Sequence, residues 1–109
     1  MEIVKANTSD QEDSIKYLLT FQGKEVGYGY LFDRAINPIE IYITKEYQSN
    51  GCGKFLFQYL AEVMKKQGDT GMIFELTKDQ IRFQNIIMQA GAVQVGAYKD
   101  KIKYILKLK

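Results

Sequence analysis

Gln48-Ser49-Asn50-Gly51-Cys52-Gly53 has the residue types and spacing to hold an anion. The two glycines carry no Cβ, so the backbone can turn sharply and a ligand can approach it closely. An amphipathic run starts at Lys54. Leu56, Leu60, Val63 and Met64 recur at the spacing of one helical face, and Gly68 follows as a stop signal. The first N–H groups of such a helix have no partner inside it. With the positive end of the helix dipole, they form a site for phosphate-like groups. Hydrogen bonds to a charged group contribute about 1.5–3 kcal/mol each. The dipole adds only about 0.3–1 kcal/mol, so the amides are the larger effect.

The sequence contains no histidine. That excludes Ser-His-Asp and Cys-His nucleophile systems and imidazole-dependent metal sites, and it removes the usual general base. Any chemistry must use carboxylates, tyrosines, the backbone or a cofactor that is already activated. Two phosphate motifs fail. The Walker pattern needs glycine at Gln48 and Ser or Thr at Phe55, and the dinucleotide fingerprint needs a third glycine at Leu56.

The elements that must position this loop are legible on both sides of it. Ile39, Ile41 and Ile43 alternate with Glu40 and Tyr42, the period of a half-buried strand that runs into the loop. Upstream, Ile15 to Phe21 and the run carrying Val26, Tyr28, Tyr30 and Phe32 read as a hairpin turning at Gln22-Gly23-Lys24. Gly27 and Gly29 leave one face of its second strand bare, which marks a bulge or the close approach of another element or a ligand. Ile3 and Val4 read as a frayed strand, and Asn37-Pro38 as a turn.

Downstream, the continuous apolar run Met72 to Leu76 reads as a strand buried on both faces, which suits parallel pairing with the 39–43 strand through a right-handed crossover. A second helix is expected from about Gln80 to Gln89, capped by Thr77 or Asp79 and ended by Gly91. A final hairpin joins Val93 to Tyr98 with Ile102 to Leu108 through Lys99-Asp100.

With 109 residues, 46% hydrophobic and 26% charged, the chain is expected to be one globular domain, 1–109. A formal charge of +2 is too small to argue for nucleic acid. No apolar run approaches the ~18 residues needed to span a bilayer, and the N-terminus lacks a signal-peptide pattern. One cysteine excludes an intrachain disulfide and fits a reducing compartment. The expectation is a cytoplasmic protein with neither a membrane nor a nucleic-acid partner.

The Q-x-x-G-x-G segment between strand and helix resembles the acetyl-CoA loop of the GNAT N-acetyltransferase superfamily, whose pattern is Q/R-x-x-G-x-G/A. Ile41-Tyr42-Ile43 and Glu46-Tyr47 also look like that family's approach to its loop, and the element order matches. The resemblance implies an α/β fold with a mixed, mostly antiparallel sheet, one parallel strand pair and two main helices. It implies acetyl-CoA as cosubstrate, its pyrophosphate held around Gln48, Ser49, Asn50, Gly51, Cys52, Gly53 and Lys54. The pantetheine arm would meet main-chain groups of Ile41 and Ile43. The implied activity is acetyl transfer to a primary amine, on a small molecule or on a peptide or protein, by direct attack. The alternatives are a non-catalytic CoA-binding or protein-interaction domain of the same fold, and a structural module whose exposed sheet pairs with a partner.

Neutralising a lysine acceptor at pH 7 costs about 4–5 kcal/mol, whereas an α-amine costs about 1–1.4 kcal/mol. A weak catalytic apparatus therefore favours an acceptor of low pKa. Glu40 lies where the family often draws a base acting through water. The family's acid, a tyrosine four residues before the closing glycine, falls at Ile87, and its usual asparagine falls at Gln80. Tyr98, with Tyr104 beside it on the last hairpin, stands as a substitute acid. The resemblance also implies two helices between the first two strands, but Asn7 to Asp13 is too short for them. An open acceptor side follows, suited to a peptide or protein end or completed by a second subunit in a homodimer.

Overall fold

The computed structural model describes all 109 residues. β2 (Ser14–Phe21) and β3 (Lys24–Phe32) form the expected hairpin. Gln22 and Gly23 both take left-handed φ, 53° and 80°, the two-residue turn whose twist matches that of paired strands. The pair Ile3-Val4 becomes part of a paired strand, β1 (Glu2–Lys5), whose residues 2–5 face residues 20–17 of β2. β4 (Ile39–Ile43) adds on the other side of β3, giving an antiparallel sheet in the order β1-β2-β3-β4.

A 3₁₀ turn (Lys45–Tyr47) leads toward α1 (Cys52–Lys66), which begins two residues earlier than the apolar periodicity. The second sheet comprises β5 (Gly71–Thr77), β6 (Val93–Tyr98) and β7 (Lys101–Lys107) in the order β5-β7-β6, also antiparallel. α2 (Ile81–Gln89) joins β5 to β6. It is preceded by Gln80 with no side-chain cap, in place of a Thr77 or Asp79 cap. Gly91, at φ 110°, follows its end.

α1 packs across one face of the first sheet, with Leu56, Phe57 and Leu60 fully buried in a core shared with Leu19, Ile39, Phe74 and Ile87. The bare glycine stripe of β3 is explained by its neighbours β4 and α1: a Cβ on Gly27 would lie 2.6 Å from Ile43 Cδ1. A Cβ on Gly29 would lie 3.0 Å from Leu60 Cδ1 and 3.2 Å from Leu56 Cδ2, so glycine lets α1 settle onto the strand. The stripe therefore serves the close approach of an element and not of a ligand.

Two expectations are corrected. Met72, Phe74 and Leu76 are buried, but Ile73 and Glu75 are half-exposed, so β5 buries one face only. The expected parallel pair is reduced to a single bridge, Ile36 with Ile73. There the Asn37 N–H donates to the Ile73 carbonyl at 2.8 Å. The Asn37 side chain donates through Nδ2 to the Glu75 carbonyl (3.0 Å) and accepts the Glu75 N–H at Oδ1 (2.9 Å). An amide side chain thus does the work of a strand for one residue, after which β4 and β5 part.

The other face of the first sheet carries no helix. In place of helices, the segment between β1 and β2 is tied to it. Ala6 N–H donates to the Lys16 carbonyl at 2.8 Å, and the Tyr30 hydroxyl donates to Asp10 Oδ1 at 2.6 Å.

Candidate active site

The parting of the sheets leaves one edge of β4 open. Thr44 N–H bonds to the Val26 carbonyl and Phe32 N–H to the Pro38 carbonyl. With the register of β3 and β4, this aims the peptide groups of residues 38, 40, 42 and 44 at β3. The N–H and C=O groups of Ile39, Ile41 and Ile43 point the opposite way, into the gap between the sheets. Side chains line this gap as a cleft of about 220 Å³, among them Ile39, Glu40, Ile41, Tyr42, Gln80 and Phe83.

The open edge ends at the glycine loop. Gly51 takes φ 77°, and nothing lies within 4 Å of the place a Cβ would occupy. That left-handed turn swings the chain into α1 without burying its own amide. The Gln48 and Asn50 amides are bonded to Lys45 O and Tyr47 O, at 3.4 and 3.3 Å. Those of Ser49, Gly51, Cys52, Gly53 and Lys54 have no partner in the protein, and the first helical bond is Phe55 N–H to Gly51 O. Ser49, Asn50 and Lys54 are exposed, so the mouth is not filled by side chains.

The individual loop residues have distinct positions. Gln48 turns back, its Nε2 donating to the Ile43 carbonyl at 3.1 Å, and so clasps strand to loop. Cys52 is 3% exposed and its thiol donates to Met1 Sδ at 3.5 Å, the setting of a packing residue. Gly53 is helical. A Cβ there would come within 2.9 Å of Ile86 Cδ1, so its bareness brings α2 against α1.

Glu40 reaches the cleft with both oxygens engaged. Oε2 accepts from Arg34 Nη2 at 2.8 Å, and Oε1 accepts from the Tyr42 hydroxyl at 2.8 Å. That bond, with burial, pushes the Tyr42 hydroxyl up to about 12, so the phenol keeps its proton. Tyr42 lies opposite Tyr28 on β3, and the rings stack with centroids 5.1 Å apart.

Tyr98 is not brought to the cleft. It is 73% exposed at the tip of the β6–β7 hairpin, two strands from β5. Two strand spacings place it about 10 Å from that wall. Tyr104 is buried and donates to Gln84 Oε1 at 3.0 Å, so its proton is committed to the core. Ile87 is fully buried.

Three residues at or beside the site were missed in the sequence. Tyr42 lines the cleft, Arg34 holds Glu40 Oε2, and Glu75 lies on the outer face of β5 beside the Asn37 junction. The alternation of Tyr42 with Ile41 and Ile43 places it on the Glu40 face. No local pattern marks the other two.

No protein-family model matches the sequence, and no curated protein does. Solved structures do. An acetyltransferase from Bacillus subtilis in complex with CoA superposes with a TM-score of 0.80 at 13% identity, over 98% of each chain. An acetyltransferase of the GNAT family from Streptococcus pneumoniae gives 0.73 at 20% identity, over 92% of this chain and 70% of that one. The fold is that of the GNAT acetyltransferases. The ribosomal-protein-S18-alanine N-acetyltransferase from Escherichia coli gives 0.71 at 17% identity, over 91% of this chain and 72% of that one. In the GNAT fold of this chain, the open edge of β4, the gap beside it and the free amides before α1 form one continuous surface. No helix of it is long and apolar enough to cross a membrane.

Proposed function

We propose that the chain belongs to the GNAT superfamily and transfers an acetyl group from acetyl-CoA to a primary amine by direct attack. The observation that carries this reading is the set of unpartnered amides at Ser49 and Gly51–Lys54, at the end of the open β4 edge. A diphosphate fits such a cradle because each amide offers a charge-assisted bond that water would otherwise make. Extended main chain at Ile41, together with the Ile43 N–H, suits the amide-bearing pantetheine arm, while Gln48 holds the Ile43 carbonyl. Bound acetyl-CoA supplies an activated thioester, which an unprotonated amine can attack without a nucleophile from the protein. The residues of the chain then bind and orient: amides at the diphosphate, β4 along the arm, Glu40 and Tyr42 at the acceptor side. The outer sheet face, bare of helices, leaves that side open to a small amine or to the end of a peptide.

Calorimetric titration with CoA, followed by thiol release from acetyl-CoA with an amine panel, tests the reading. Saturable CoA binding and amine-dependent thiol release are expected. Gly51→Val places a side chain in the cradle and should abolish CoA binding while the far-UV spectrum is kept. Unchanged affinity in that variant overturns the cradle. A second reading, a CoA-binding domain without catalysis, is favoured by Ile87 where the family carries its acid and by the engaged oxygens of Glu40. It predicts CoA binding with no thiol release for any amine.

A further inference from the structure

We propose that the acceptor is a planar aromatic amine that stacks on the free face of Tyr42; this rests on the acetyl-transfer reading above. The cross-strand pair Tyr28–Tyr42 is stacked, with ring planes 25° apart, and Tyr30 closes on Tyr42 edge-on at 6.2 Å. β4 is the last strand of its sheet. Neighbouring strands lie about 4.8 Å apart, so a ring on the next strand would continue the stack one spacing further out. That place is the Glu40–Tyr42 face of the cleft, above the backbone edge given to the pantetheine arm, and Tyr42 lines it. Tyr28 covers one face of the Tyr42 ring, yet the residue is 46% exposed, so the second face looks outward. The hydroxyl bond to Glu40 fixes the ring, so little is lost when a flat ligand settles on it.

The charges point the same way. Lys16 lies 3.8 Å from Asp10, and Arg34 lies 2.8 Å from Glu40, so these acids already face cations of the chain. Of the residues lining the cleft, Glu40 is the one carboxylate, and both its oxygens are engaged. An acceptor served by such a site must arrive unprotonated at neutral pH. An aromatic amine does, because its lone pair is delocalised into the ring. In the reaction the amine nitrogen bonds to the acyl carbon and the carbon–sulfur bond breaks. The proton lost by nitrogen goes to the thiolate through solvent, leaving an N-aryl acetamide and the CoA thiol. Glu75, half-exposed on β5 beside Asn37, sets the rival: a base serving a cationic aliphatic amine.

The test is thiol release at pH 7 with saturating acetyl-CoA, using aniline, its saturated counterpart cyclohexylamine, a linear diamine and an alanyl peptide. Aniline should exceed the other three in kcat/KM by about tenfold or more. Tyr42→Leu should lower kcat/KM for aniline about 2- to 13-fold, the worth of an aromatic pair, with CoA affinity unchanged, and Tyr42→Phe, which keeps the ring but frees it from Glu40, should lose less than Tyr42→Leu. The inference is overturned if any aliphatic amine or the peptide matches aniline. It is overturned equally if Tyr42→Leu affects all acceptors alike, or if Glu75→Gln abolishes transfer to all of them while Tyr42→Leu is silent. Transfer with an aliphatic preference sinks this inference alone. CoA binding with no transfer to any amine sinks the acetyl-transfer reading with it.

Discussion

Asn37 and Glu75 join the two sheets through a reciprocal pair of hydrogen bonds, side-chain amide to peptide, at 2.9 and 3.0 Å. Asn37 stands at φ 53°, a conformation asparagine tolerates better than alanine. Asn37→Ala removes both bonds, at about 0.5–1.5 kcal/mol each, and adds about 1 kcal/mol of backbone strain. For a domain of this size each kcal/mol moves Tm by about 4–8 °C, so the midpoint should fall by about 10 °C or more. A scanning calorimetry shift under about 3 °C would mean that the junction does not hold the sheets together.

Gly53 and Ile86 should couple. In the native background, alanine at Gly53 gains about 1 kcal/mol of helix propensity but presses on Ile86 Cδ1 at 2.9 Å. Ile86→Val removes that methyl. Gly53→Ala is therefore expected to be neutral or destabilising alone, and to stabilise by about 1 kcal/mol when Ile86 is already valine. Urea unfolding of the four proteins of the cycle measures this. A coupling energy below about 0.3 kcal/mol rejects the contact.

Much of this architecture is written locally. The alternation of Ile39, Ile41 and Ile43, the helical spacing from Leu56 to Met64 and the glycine at 51 specify the strand, the helix and the turn between them. Each depends on residues a few positions apart. The separation of β4 from β5 does not. It follows from Asn37 reaching residues 73 and 75, a contact across more than 30 positions that reads locally as an ordinary Asn-Pro turn. The same limit applies to Gly53, whose neighbour Ile86 lies on another helix, and to Glu40, whose partners Arg34 and Tyr42 need a side-chain geometry that alternation does not give. Met72 to Leu76 misleads for another reason. A continuous apolar run fits one buried face or two, and burial is decided by what packs on the outside.

Tyr104 should be a stability residue. Its hydroxyl donates to Gln84 Oε1 at 3.0 Å, and Gln84 Nε2 donates to the Thr77 carbonyl at 2.9 Å, closing a buried link from β7 through α2 to the end of β5. Tyr104→Phe leaves Gln84 Oε1 without that donor, and an unsatisfied buried group costs about 1–3 kcal/mol. Denaturant unfolding should show a loss of that size. Tyr104→Phe combined with Gln84→Leu should recover part of it, because the orphaned oxygen is then gone. A double variant no more stable than Tyr104→Phe alone would contradict this account.

The bond from Tyr30 to Asp10 should shape the pH dependence of stability at both ends. Tyr30, with Lys16 close by, holds the Asp10 carboxyl below the usual carboxylate range. Asp10 thus contributes stability above the unfolded value of about 3.9, and the contribution is lost as pH falls below it. The same bond, with burial, pushes the Tyr30 hydroxyl up to about 12. A raised folded value works the other way. Its contribution is complete below about 10, the unfolded value, and is lost as pH rises from there toward 12. Tyr30→Phe removes the bond, so the difference in Tm between native protein and variant should be largest from about pH 5 to 9 and shrink toward both extremes. The alkaline arm will not vanish from the variant, because Tyr42 is pushed up to about 12 by Glu40 and titrates over the same window. Thermal melts across that range decide the matter. Parallel curves for the two proteins would mean that the Tyr30 hydroxyl and Asp10 do not share a proton-linked contact in solution.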